Sequence, residues 1–412
     1  MSKQDQVFGS RVAAFRKERG MSQAELAAEI GRTASWLSQV ERGIQPVNRL
    51  DVLRLLADAL GVSQATLRPD LPESDVPSAG EANEIKPNDL DQARLLLSGH
   101  PALEALLTDQ DAANRASLSE LRSAVDRVWE LTHADKFAEL SSTLGPLVPR
   151  LERAVRTAPA EERAELSQLL GRTYAALAAA FVRQGEPDAA WVAADRSIRA
   201  AEQSGQPLQV CAGIYRLAQA FVRLKRLDQA EHAATTAADA LAQYVSTHDD
   251  PEALSVLGAL HLQLATVHAK AGDRARTREE IQRAREVARR LGEDRNDFNL
   301  EFGPTNVEIQ AVSSAVELGD AGEAIDLGEG IDATGLSVER QARLLMDLGR
   351  AYSQRRQPGE ALGYLLKAEE LAPEMISSHI ASRDTIRELM LVAGRSASPE
   401  LRGLAERADA KP

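Results

Sequence analysis

Base edges and phosphates are bound by amides, hydroxyls and guanidinium groups, and one short stretch of this chain concentrates all three. Thr33, Ala34, Ser35, Ser38 and Gln39 share one side of a segment whose other side is apolar through Leu37 and Val40. Gln39 offers the paired donor and acceptor that fit adenine, Ser35 and Ser38 can bond several base edges, and Ala34 can touch a thymine methyl. Arg32, Arg42 and Arg49 flank the stretch and suit the phosphate backbone. Residue type alone leaves a second account open, because Ser, Gln and Arg on an outward helix face are also simply solvated. Catalytic groups do not assemble in this way. The seven His are scattered; His261 and His268 stand seven residues apart without a third ligand, and the His248–Asp250 run lacks a nucleophile. No phosphate-binding Gly loop, Ser/His/Asp ordering or HExxH motif occurs. A non-enzymatic protein without metal or cofactor is expected.

Five short helices are expected to position those groups. Phe8–Arg19 carries Val12 and Phe15 at helical spacing and stops at Gly20. Ser22 caps a second helix, with Glu25 three residues on as a capping box, and that helix ends at Gly31. Thr33 is the N-cap of a third, Ala34–Arg42, closed by Gly43. A fourth runs from about Arg49 to Leu60, and a fifth turn ends near Leu67. Two helices joined by a short turn at Gly31 describe a helix-turn-helix.

The string MSQAELAAEIGRTASWLSQVERG closely resembles the lambda-repressor-like (XRE) helix-turn-helix family, through Gln23, Ala27, Gly31, Leu37, Val40, Glu41 and Gly43. LDVLRLLADALGVSQATL fits the family's fourth and fifth helices, so the resemblance spans roughly the first 67 residues. It implies that the third helix enters the major groove of double-stranded DNA, N-terminal end first. It also implies an Arg16–Glu41 ion pair tying helix one to helix three, and a phosphate-anchoring Gln at Gln23. Trp36 departs from the common pattern and is assigned to packing beside Leu37.

Charge is distributed accordingly. Residues 1–68 hold ten Lys/Arg and seven Asp/Glu, whereas the remainder holds 39 and 55, within a chain of net charge −13. A small module for a polyanion on an acidic body fits this asymmetry, and so does a plain solubility role for the acidic part. The 412 residues suffice for two or three domains. With only 4% aromatics the core must be built from Ala, Leu and Val, which favours close-packed helices; the fold class is all-α. A single cysteine, Cys211, excludes an internal disulfide framework. There is no membrane-length apolar run and no signal-peptide core, so a soluble, cytoplasmic and nucleoid-associated protein is expected.

Residues 68–89 contain four Pro and read as an exposed linker. Beyond it, residues 90–412 are read as a helical repeat array. In LMDLGRAYSQRRQPGEALGYLLKAEELAP, Gly349, Tyr352, Ala361, Ala368 and Pro373 stand at the spacings of a tetratricopeptide (TPR) repeat. Aligned on Ala361, the earlier small residues are Ala138, Ala190, Ala230, Thr277 and Ala324. Turn cues recur at RQGEPD, LKRLD, KAGD, ELGD and RRQPG. About six hairpins stacked into a right-handed superhelix follow, preceded by helices near 90–98 and 100–109 and closed by a capping helix near 376–393. This architecture resembles the peptide-sensing regulators of Gram-positive bacteria, and FGPTNVEIQAVSSAVELGDAGEA resembles actinobacterial members of that class.

First helices of such hairpins line the concave face. Their inward positions include Arg172, Tyr215, Gln219, Arg223, Gln263, Thr266, Asn306 and Ser313, which suit an extended peptide needing bonds on both sides. Asn306 leads because its amide both donates and accepts. It follows an insert, DRNDFNLEFGPT, in which Asn296, Phe298, Asn299 and Phe302 are further candidates. A wet concave surface without ligand is the competing account. Two functions remain: a homodimeric, sequence-specific DNA-binding regulator reading paired half-sites and sensing a peptide or small molecule through the array, and a protein–protein adaptor in which the first domain only targets the array.

Overall fold

The computed structural model describes residues 3–30, 34–44, 47, 50–62, 64–68, 88–99 and 117–411. Within them the regular elements are helical, apart from one isolated bridge between Arg295 and Phe302. The chain divides into two compact units, residues 1–83 with 381–412, and residues 84–380.

The first unit holds α1 (Lys3–Glu18), α2 (Gln23–Glu29), α3 (Ala34–Glu41), α4 (Leu50–Leu60) and α5 (Gln64–Leu67). The first helix begins at Lys3 rather than Phe8, because nothing in the polar residues before Phe8 stops it. Ser22 and Glu25 form the expected capping box: Glu25 N–H donates to Ser22 Oγ at 3.2 Å, and Ser22 N–H to Glu25 Oε2 at 2.7 Å. Phe8, Val12, Leu26, Ala27, Leu37, Val40, Leu53 and Leu56 bury the shared core. Gly9 lets α1 approach α3, since a Cβ there would overlap the Val40 carbonyl.

The second unit opens with α6 (Asp91–Ser98) and continues as six hairpins. They are α7 (Leu118–His133) with α8 (Phe137–Thr157), α9 (Ala160–Gln184) with α10 (Pro187–Ser204), α11 (Pro207–Arg223) with α12 (Leu227–Val245), α13 (Pro251–Ala271) with α14 (Arg274–Leu291), α15 (Pro304–Leu318) with α16 (Ala321–Gly328), and α17 (Val338–Gln354) with α18 (Pro358–Leu371). A short α19 (Pro373–Ser378) follows. First helices of successive hairpins pack side by side and make the inner layer. Each aligned small residue stands on a second helix; Ala190, Ala230, Thr277, Ala324 and Ala361 are buried, and Ala138 is half-buried. The helix expected near 100–109 and most of the 68–89 linker lie outside the described residues.

Two features depart from expectation. The insert after α14 is not an open loop. Arg295 and Phe302 exchange two backbone hydrogen bonds of 2.9 Å around a turn at Asp297–Asn299. Phe298, Asn299 and Glu301 adopt left-handed backbone with φ of 52°, 56° and 48°, a cost that persists where surroundings over-determine the conformation. Phe302 seals the insert from below, fully buried against α13 at Gly258, where a Cβ would overlap the ring. Gly258→Ala is therefore expected to lower the stability of this unit by about 1–3 kcal/mol; a denaturant midpoint equal to the parent's would show that the ring can move aside.

The second departure is at the C-terminus. The helix expected to cap the array is instead split: α20 (Ile380–Ala393) and α21 (Pro399–Arg407) belong almost wholly to the first unit. Leu391 enters the core of that unit and is buried there. Arg383 and Arg387 both donate to the Asp409 carbonyl, at 2.8 and 3.1 Å, and so close α20 and α21 into a hairpin.

Candidate functional site

On the first unit the orientation of α3 is fixed from behind. Leu37 and Val40 are fully buried. Glu41 receives Arg16 Nε at 2.5 Å and Nη2 at 3.0 Å, a two-pronged pair whose third prong runs from Arg16 Nη1 to the Met21 carbonyl at 2.7 Å. The Glu41 hydrogen bond raises the Arg16 guanidinium further. Burial works to lift the Glu41 carboxyl, but hydrogen bonds from Arg16 and Gln23 hold it below the usual carboxylate range. Gln23, expected to anchor phosphate, is half-buried at the start of α2, and its Nε2 donates to Glu41 Oε2 at 2.6 Å, which adds it to the clamp that joins α1, α2 and α3.

With the clamp behind it, α3 turns its other face outward. Ala34 and Arg42 are exposed, and Ser38 and Gln39 are half-buried. Arg42 lies back along the helix, its Nε donating to the Ser38 carbonyl at 3.3 Å. Ser35 stands on α3 with its side chain outside the described residues, as are Arg32, Thr33 and Arg49 entirely.

On the second unit a cavity of about 430 Å³ opens between α7, α9, α11, the start of α13 and the insert. Arg172, Asn296, Phe298 and Asn299 line it, together with Trp129, Gln168, Gln209 and Glu252, which sequence spacing did not single out. Arg172 is partly engaged by Asp126 at 2.8 Å. Two buried polar atoms of the lining have no hydrogen-bond partner: Trp129 Nε1, a donor, and Gln209 Oε1, an acceptor. Beside the groove Arg216 is buried among the Trp129 and Tyr215 rings, 5.6 and 5.3 Å from its guanidinium. It donates to the Asn299 carbonyl at 2.6 Å and to Gln219 Oε1 at 3.1 Å. Burial lowers its pKa to about 10.

Other expected ligand residues serve the packing. Phe302 is a core residue; Asn306 is buried, its Nδ2 donating to the Glu301 carbonyl and its Oδ1 without a hydrogen-bond partner. Tyr215 and Gln263 are buried, the former accepting from Gln219 Nε2 at 3.2 Å. Thr266 donates to the Leu262 carbonyl at 3.1 Å and accepts from Gln310 at 2.9 Å. Ser313 and Arg223 are half-buried on the inner layer, away from the groove lining.

A charge network invisible to sequence spacing ties the ends of the array together. Arg183 meets Asp135 and Glu339 at 3.0 Å each, and His133 stands 3.4 Å from Glu339 and 3.1 Å from Asn299 Oδ1. Arg340 bonds Glu301 at 2.8 Å. Burial opposes ionisation of Glu339, yet Arg183, His133 and Arg340 hold its carboxyl well below the usual range. No helix among the described residues is long and apolar enough to cross a membrane, and no metal-holding cluster of His, Cys, Asp and Glu occurs among them.

Residues 7–70 match the helix-turn-helix domain family. Over 61 residues the chain is 38% identical to the HTH-type transcriptional regulator SinR of Bacillus subtilis, and equally to that of Bacillus licheniformis. This stretch is 15% of the chain and 55% of the relative, so the chain spans about half the length of the curated relatives it matches. Among solved structures, the quorum sensor NprR from B. thuringiensis, in its apo form, shares 15% identity at a TM-score of 0.39, over 71% of this chain and 76% of that one. Bacillus thuringiensis PlcR, in complex with the peptide PapR7 and DNA, shares 15% at 0.26, over 70% and 96%. Aspartyl phosphate phosphatase F from Bacillus subtilis shares 14% at 0.41, over 93% and 96%. The N-terminal part of this chain is thus a helix-turn-helix domain, carried in one polypeptide with an array of helical hairpins.

Proposed function

We propose that this chain is a sequence-specific DNA-binding transcriptional regulator, non-enzymatic, whose helical array senses a short peptide and pairs two copies. The observation that carries it is the Arg16–Glu41–Gln23 clamp, which sets α3 rigidly with Ser38, Gln39 and Arg42 on its open face. A helix held this way can lay its N-terminal residues against base edges while its arginines meet phosphate. Two such helices on a symmetric dimer read half-sites about one helical turn apart, or a multiple of it. The groove supports a peptide over an apolar small molecule. An unpaired buried donor and an unpaired buried acceptor are what a peptide amide satisfies.

The test is a titration of the full chain against DNA from upstream of its own gene and neighbouring genes, at several salt concentrations. A specific complex whose affinity falls steeply with salt is expected. The Gln39→Ala, Arg42→Ala double variant should keep its helicity, lose about 10-fold or more in affinity, and show a shallower salt slope. Double-variant binding equal to the parent's, or no complex with any fragment beside a stably co-purifying protein, would turn the reading toward an adaptor.

A further inference from the structure

The insert between α14 and α15 serves two places at once. Its tip walls the groove, because Asn296, Asp297, Phe298 and Asn299 all line the cavity. Its exit holds the last hairpin. Ser337, the N-cap of α17, donates through Oγ to Glu301 Oε2 at 2.9 Å. Arg340 donates to the same oxygen at 2.8 Å and to the Leu300 carbonyl at 3.2 Å. Three contacts hold the tip down. Arg216 Nη2 donates to the Asn299 carbonyl at 2.6 Å, His133 Nε2 stands 3.1 Å from Asn299 Oδ1, and Arg295 forks onto Asp297 at 2.8 and 3.1 Å. Against them works the left-handed backbone of Phe298 and Asn299, a conformation that side chains disfavour. The tip is therefore clamped rather than relaxed.

The clamp and the groove share a residue. Trp129 lines the cavity and leaves its Nε1 donor open. Its ring lies 5.6 Å from the Arg216 guanidinium and 5.5 Å from the His133 ring, so it touches both side chains that hold Asn299. Across the groove, Gln209 Nε2 is committed to the Gln168 carbonyl at 3.0 Å, which leaves Oε1 as the open acceptor. A peptide bonding Trp129 through a carbonyl and Gln209 through an N–H has a further carbonyl about one or two extended residues from Arg216. In this structure the Asn299 carbonyl takes that donor. We propose that the insert tip is a built-in occupant of the groove, displaced when a peptide ligand gives Arg216 a main-chain carbonyl in place of that of Asn299; this rests on the reading of the array as a peptide sensor. Release of Asn299 also frees His133, which stands 3.4 Å from Glu339, and slackens the hold of Glu301 on the first turn of α17. Groove occupancy and the tie between the first and last hairpins become one equilibrium. The ligand shifts it by the difference in its affinity for the two arrangements.

The test is amide hydrogen exchange of the full chain with and without the peptide acetyl-Asn-Asp-Phe-Asn-Leu-amide, the excised sequence of residues 296–300. In the parent this probe should slow exchange in α9 and α11. It should speed exchange at Leu300 and Phe302, whose N–H groups bond within the insert, and in the first turns of α17. Asn299→Ala removes the side-chain contact with His133 and makes the left-handed backbone costlier. Its insert should exchange faster without probe, and the probe concentration that half-protects α9 and α11 should fall about 5-fold. Arg216→Met should abolish the probe's effect on the insert. Trp129→Phe keeps a ring against His133 and drops the open N–H, and should bind the probe more weakly while folding as the parent does. Protection of α9 and α11 at equal probe concentrations in the parent and Asn299→Ala, with the insert unmoved, overturns the displacement and leaves the groove a peptide site. No protection in either chain overturns the displacement and the peptide reading together. None of these readouts involves DNA, so the DNA-binding reading stands or falls separately.

Discussion

Glu41→Ala should cost the first unit about 3–5 kcal/mol, the usual loss when one partner of a buried ion pair is removed. Its side chain is 7% exposed and that of Arg16 is 10% exposed, so the orphaned guanidinium has little access to water. Gln23 loses its acceptor at the same time. Small domains hold only about 5–15 kcal/mol in total, so α3 should open at ordinary temperatures. Amide hydrogen exchange across Leu37–Glu41 reads this directly, with the array as an internal control. Glu41→Gln keeps the shape and one acceptor and should lose less. The pH dependence has a definite sign. A carboxyl held below its unfolded range contributes in full above that range and loses its contribution as pH falls through the depressed value. The parent's α3 should therefore lose protection in acid, and Glu41→Gln should lack that component. Unchanged protection of α3 in Glu41→Ala would mean that the apolar face alone holds the helix.

Local and periodic features were legible in the residues, and contacts across the chain were not. Ser22 and Glu25 announce a helix start because a capping box closes within four residues. Ala190, Ala230, Ala324 and Ala361 announce second helices because close packing recurs at every hairpin and admits little else. The bond from Gln23 to Glu41 was not legible, because only the fold brings Glu41 beneath it. Phe302 looked like a ligand residue because an insert without periodicity reads as an open loop. The left-handed residues at 298, 299 and 301 fold it inward, and no spacing rule signals that. Leu391 sits in a plausible capping helix, but its partners are residues of the first unit more than 300 positions earlier in the sequence. The Asp135, Arg183 and Glu339 cluster is of the same kind: three ordinary surface residues by type, joined only by the closure of the array.

That cluster carries the second large effect. Glu339→Ala should destabilise the array by about 3–5 kcal/mol. Its carboxylate is the shared acceptor of Arg183 and His133, and its loss leaves Arg183 with Asp135 alone. Asp135 is a poor substitute, because burial already pushes its carboxyl upward. The surplus positive charge then also faces Arg340, whose carboxylate partner is Glu301. Two acid-sensitive groups should separate on titration. His379 is buried and its pKa is depressed well below the ordinary imidazole value by burial and by Arg343, Arg223 and Arg350. A depressed imidazole favours the fold above its unfolded pKa, about 6.5, and that contribution is lost progressively as pH falls toward the folded value. Glu339 acts further down, because its carboxyl is held well below the usual range. Array stability should thus fall in two stages on acidification, with the upper stage kept and the lower one removed in Glu339→Ala. Denaturant unfolding of the full chain, followed by near-ultraviolet circular dichroism at stepped pH, distinguishes these stages. A single stage in the parent, or a Glu339→Ala array as stable as the parent's, would reduce the network to a surface ornament and leave the hairpin core to close the array alone.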